Sequence, residues 1–156
     1  MIAESLPSAR SGMAVRPPGG RLLPVRVLLF GLAVPLLLRR GPERLARLLE
    51  PARPPQPAAD PAAAEALARR IDRWLRAGWP LVRRGCLTRG LTQYRFLRQA
   101  GFDVSLRFGL GEVNGKFEGH CWLVQDGRPF LEKRDPRPIY TEMWRIGPHP
   151  RPFTRP

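Results

Sequence analysis

Two side chains in this chain of 156 residues combine the types and settings that thiol chemistry needs. Cys86 follows Gly85 and opens the stretch CLTRGLTQYRFLRQAGF, in which Leu87, Leu91, Tyr94 and Leu97 recur at helical spacing and Gly101 supplies a stop. A cysteine at a helix start meets unpaired backbone N–H groups and the positive end of the helix dipole, which favour thiolate over thiol. A nearby imidazole would make it a nucleophile at neutral pH. His120, in GHCWLVQDGRPFLEK, is the candidate partner. A carboxylate must then orient the imidazole and stabilise its charged form, and Glu132, Asp126 and Asp135 compete for that role. A small buried residue at a helix start also satisfies the pattern around Cys86, so the cysteine alone does not decide the matter.

The elements that position these groups are legible from periodicity. After Gly101 the period changes to two: Val104, Leu106, Phe108 and Leu110 alternate with Ser105 and Arg107, which predicts a half-buried strand. Asn114-Gly115 predicts a hairpin turn into a strand over KFEGHCWLVQ, and Asp126-Gly127 a second turn into RPFLEK. Three antiparallel strands behind a helix follow. Parity places Glu118, His120, Trp122 and Val124 on one face and Phe117, Cys121 and Leu123 on the other. His120 and Cys121 therefore point apart, which makes Cys121 a poor candidate for the thiol, while Cys86 could meet His120 across the layer. Even parity of Phe130 and Glu132 in a regular hairpin favours Glu132 as the orienting acid. Asp126 is explained by its turn, and Asp135 precedes a proline that starts a loop.

Composition and charge bound the rest. The length suits one compact domain. A net charge of +14 ordinarily raises nucleic acid as a partner, yet only Lys116 and Lys133 of the 27 basic residues are lysines. The excess of Arg, Ala, Pro and Leu reads as compositional bias, and no basic and aromatic binding module is present, so nucleic acid is not an expected partner. Two cysteines without an export signal point to free thiols in a reducing compartment, the cytoplasm. Cys86, His120, Cys121 and His149 match no zinc spacing, so neither a metal nor another cofactor is expected.

By composition the chain divides into a disordered stretch over residues 1–20, a helical extension over 21–50, a proline-rich linker over 51–61, a working domain over 62–146 and a proline-rich tail over 147–156 that holds His149. The apolar run over residues 27–38 is too short to span a bilayer. It is expected to pack on the domain, with peripheral membrane contact as the alternative. Asp60 followed by Pro61 marks the N-terminus of a helix whose Leu67, Ile71 and Leu75 face inward with Trp74 beside them, while Arg69, Arg70 and Arg73 face away.

Over residues 64–134 the order CLTRGLTQYRFLRQAGFDVSLRFGL, FEGHCWL and DGRPFLE resembles the transglutaminase-like cysteine protease domain of lasso-peptide B proteins. The likeness rests on a Cys-Leu-x-Arg opening, a Leu/Tyr/Leu helix ending in glycine, an LRFG strand, and His followed two residues later by Trp. It implies an α+β, papain-like fold with a catalytic helix packed on a small antiparallel sheet. The implied reaction is removal of a leader peptide from a ribosomally made precursor. A separate leader-binding protein and an asparagine-synthetase-like cyclase are the implied partners. Carried over by position, Cys86 is the nucleophile, His120 the general base and acid, and Glu132 the orienting carboxylate. Glu132 stands where that family usually has Asp, and Gly119 and Cys121 stand where it more often has alanines. The backbone N–H of Cys86 supplies one oxyanion donor, and Trp79 and Arg84 are candidates for the second. Two other readings fit the same fold: another acyl transfer such as an amidase or transglutaminase, and a non-catalytic module that binds peptide or nucleic acid.

Overall fold

A computed structural model describes residues 20–50, 60–83 and 85–147. The expected disordered stretch, most of the linker, the tail with His149, and Arg84 lie outside the described residues. Four helices precede the sheet: α1 (Leu23–Leu38), α2 (Pro42–Leu49), α3 (Pro61–Ala77) and α4 (Cys86–Gln99). Four strands follow: β1 (Val104–Val113), β2 (Lys116–Gln125), β3 (Arg128–Phe130) and β4 (Thr141–Ile146). They form one antiparallel sheet in the order β3-β2-β1-β4. Helices on one side of an antiparallel sheet define an α+β fold, consistent with the papain-like class.

Local chemistry explains where each element begins and ends. The Asp60 carboxylate accepts from the Ala62 N–H at 2.9 Å, and Pro61 needs no partner for an N–H it lacks, so α3 starts there. Gly101 takes φ +90° after α4, a conformation that a side chain would oppose, and ends the helix. Both hairpins turn on left-handed pairs, Asn114-Gly115 and Asp126-Gly127, all four with positive φ as a type I′ turn requires.

The core lies between the helices and the inner face of the sheet. Leu67, Ile71 and Leu75 of α3, Leu91, Tyr94, Phe96 and Leu97 of α4, and Val104 and Leu106 of β1 are buried in it. Leu87, expected on that buried face, is instead exposed, in the first turn of α4. Leu23, Val27 and Val34 of α1 and Leu45 and Leu49 of α2 belong to the same core. The apolar run therefore packs on the domain with one face.

The sheet has one strand more than the three expected. β4 pairs with β1 across a register shift at Phe108/Gly109, and its Trp144 stacks on Phe108 with ring centroids 4.6 Å apart. Its sequence, TEMWRI, gives no clean alternation. Glu142 accepts from Arg107 of β1 and from Arg145, so charged residues fill places where apolar ones would have marked a strand.

Candidate active site

The geometry of the site follows from where β3 stops. Gln125 and Arg128 close a two-residue hairpin, so odd-numbered residues of β2 aim their backbone groups at β3. Phe130, opposite Leu123, is the last paired residue. The backbone N–H of Cys121 is left facing an open edge, and the N-terminus of α4 fills it. Gly90, one turn into α4, allows the close approach: a Cβ there would lie 2.9 Å from Cys121 Sγ and 3.1 Å from Leu106 Cδ1.

Cys86 thus meets both neighbours on β2. The Cys121 thiol donates to the Cys86 sulfur, the Cys121 N–H donates as well, and His120 adds a favourable charge and a hydrogen bond. Together these outweigh the cost of half-burial and lower the Cys86 pKa from 9.0 to about 5. The same pairing, with burial, pushes the Cys121 thiol far up, so the two cysteines divide into one thiolate and one persistent thiol. Parity separates the side chains of His120 and Cys121 as expected, yet a sulfur at the strand's edge reaches both. Neither cysteine is in a disulfide.

His120 Nε2 lies 3.2 Å from Glu132 Oε2, which leaves Nδ1 as the ring nitrogen for the thiol. The hairpin is not regular up to Glu132. Leu131 takes φ +58°, in the left-handed region that non-glycine residues rarely occupy, and this bend re-aims the chain just before the carboxylate. Glutamate's extra methylene then spans to the imidazole. Tyr140 and Trp122 lie against the ring at 5.1 and 6.1 Å between centroids. Asp126 is exposed at the hairpin tip, six residues along from His120 and about 20 Å away at strand rise. Asp135 is taken by Arg137 at 2.9 Å. Of the three carboxylates considered, only Glu132 is brought to the histidine.

Sequence reasoning did not assign roles to two groups that complete the site. Arg89, three residues after Cys86 on the same face of α4, donates to Glu132 Oε1 at 3.3 Å and to the Leu131 carbonyl at 3.2 Å. Asp72 of α3 lies 3.8 Å from Arg89 Nε and accepts from the buried Gln93 at 3.1 Å. Glu132 is therefore held from both sides, one oxygen by His120 and the other by Arg89. The Cys-Leu-x-Arg spacing was the available signal for Arg89; nothing in the sequence linked Asp72, a helix away, to it.

Cys86 lines a depression of about 920 Å³ together with Arg76, Trp79, Val82 and Arg83. His120 and Glu132 line another of about 990 Å³ with Glu112, Ile139 and Tyr140. Asp72, Arg89 and Lys133 line both, so the two depressions adjoin, and Cys86, His120 and Glu132 together line a pocket of only about 10 Å³. Trp79 stands in the wall of the first depression, exposed. Among the described residues no cluster of His, Cys, Asp and Glu could hold a metal ion.

A thiolate at a helix start beside a carboxylate-bound imidazole is the arrangement that cysteine-dependent acyl transfer uses. The family model described as transglutaminase-like superfamily matches residues 28–145, more than half of the chain, and the chain belongs to that superfamily. The match begins within α1 and ends within β4. No curated protein and no solved structure matches the chain.

Proposed function

We propose that this protein is a cysteine peptidase that removes the leader from a ribosomally made precursor peptide during lasso-peptide maturation. Superfamily membership supports the coarser class, cysteine peptidase or acyltransferase. The observation that carries the reading is the Cys86, His120 and Glu132 arrangement, with His120 3.2 Å from Glu132 and Cys86 held near pKa 5, where two adjoining depressions open beside it. The Cys86 thiolate attacks the scissile carbonyl while the backbone N–H of Cys86, unpaired at the start of α4, faces the developing oxyanion. Imidazolium His120, stabilised by Glu132, protonates the leaving amine. Neutral His120 then activates water, which releases the thioester. A separate leader-binding protein delivers the precursor, and an asparagine-synthetase-like cyclase consumes the freed core. Adjacent thiols left unbonded suit the cytoplasm as the place of reaction.

The test is incubation with a peptide library read by mass spectrometry, with and without an added primary amine. Hydrolysed peptides that vanish with Cys86→Ala support the reading. Products carrying the amine in place of a new carboxyl terminus would instead make the protein an acyltransferase. Cleavage surviving Cys86→Ala would remove the enzyme assignment.

A further inference from the structure

Helix α1 is apolar on both faces. Leu23, Val27, Gly31 and Val34 are buried against the domain. On the opposite side Leu22, Val25, Leu29, Leu32 and Leu36 form a stripe, with Leu29 and Leu36 each 62% exposed. The loop after α3 abuts this helix: a Cβ on Gly78 would lie 2.5 Å from Leu28 Cδ2, and one on Gly31 would lie 3.1 Å from Val82 Cγ1. That loop carries two further exposed apolar residues, Trp79 and Leu81, 68% and 78% exposed. An exposed leucine stripe of this length on a monomer marks an interaction surface.

Charge identifies the occupant. Residues 20–42 hold Arg21, Arg26, Arg39 and Arg40 and no acid, so arginines bracket the stripe at both ends. Arg21, Arg39 and Arg40 are exposed and form no ion pair among the described residues. A second copy of the helix laid on the stripe, parallel or antiparallel, would set arginine against arginine. A surface with negative charge at both ends and an apolar middle does not. At 16 residues α1 is about 24 Å long, and no described helix is long and apolar enough to cross a membrane, so the helix lies along the surface.

We infer that α1 docks the protein peripherally on an anionic lipid bilayer, its leucines in the acyl boundary and its terminal arginines among the headgroup phosphates. Trp79 is an interfacial residue type and also lines the depression that contains Cys86, so docking sets one wall of the cleft beside the bilayer. The inference does not depend on which reaction the cleft performs.

The test is co-sedimentation of the full chain with vesicles of phosphatidylcholine alone and of phosphatidylcholine with a quarter phosphatidylglycerol. Binding to the anionic vesicles at least tenfold tighter than to the neutral ones is expected. Leu29→Gln with Leu32→Gln, both on the exposed face, should weaken it tenfold or more without lowering the melting temperature. Arg39→Gln with Arg40→Gln should do the same through charge and show a smaller dependence on salt. The inference is overturned by failure to bind anionic vesicles, by equal binding to both lipids, or by leucine variants that bind like the unaltered chain, which would mean adsorption by diffuse charge. Self-association through the leucines without lipid binding would also overturn it.

Discussion

Cys121 is the neighbour that most lowers the Cys86 pKa, ahead of His120. Replacing Cys121 with Ala removes the thiol donor but keeps the backbone N–H, so the Cys86 midpoint should rise from about 5 toward the ordinary 9.0. Cys121→Ser retains a donor and should move it less. Iodoacetamide labelling of Cys86 against pH reads both. The sign for stability follows: a thiol whose pKa is lowered on folding contributes stability that is full above 9.0 and is lost as pH falls through about 5. Glu132→Gln leaves His120 without a carboxylate and Arg89 with Asp72 alone as its acid, and should lower kcat/KM on a cleaved peptide by about 100-fold or more. Glu132→Asp, one methylene short of the bend at Leu131, should fall between. Cys86, His120 and Glu132 were legible as types at telling positions. The Cys86 to Cys121 contact was not, because parity describes the faces of a strand and this contact is made at its edge.

At the scale of elements, the close approach of α4 to β2 depends on Gly90. Gly90→Ala gains about 1 kcal/mol of helix propensity but drives a methyl group to 2.9 Å from Cys121 Sγ, where overpacking costs about 1–3 kcal/mol. A lower melting temperature and slower Cys86 labelling are expected together. Gly119→Ala meets Leu110 Cδ2 at 3.7 Å and the Gly109 carbonyl at 4.0 Å, ordinary contacts, and should change neither, which makes it the matched control. Element boundaries were readable wherever backbone chemistry dictates them: Asp60-Pro61, Gly101, Asn114-Gly115 and Asp126-Gly127. β4 was not, since its place is set by a non-local pairing with β1 and by ion pairs through Glu142. Nor was the bend at Leu131, a residue type that gives no sign of a left-handed backbone.

Across the whole molecule, composition separates residues 21–50 from the later segment, but packing joins them. α1 and α2 supply buried leucines and valines to the core that supports α4, and Arg95 of α4 donates to the Leu48 carbonyl at 2.6 Å. Tyr94 also reaches across, donating to Glu50 at 2.7 Å. Leu23→Ala, at a site about 1% exposed, should cost about 2–5 kcal/mol in denaturant unfolding and shift the whole transition. An unchanged midpoint would mean that α1 is an appendage. The proline-rich stretch reads as a boundary in the sequence, and sequence alone carries no measure of what packs on either side of it.

The most direct test of the central claim is the rate of Cys86 alkylation by iodoacetamide from pH 4 to 10, mapped by mass spectrometry in the unaltered chain and in His120→Ala. A midpoint near 5 at Cys86, raised in His120→Ala, with Cys121 unlabelled throughout, is the expected result. A Cys86 midpoint in the ordinary thiol range, unaffected by loss of His120, would contradict an activated nucleophile at the start of α4.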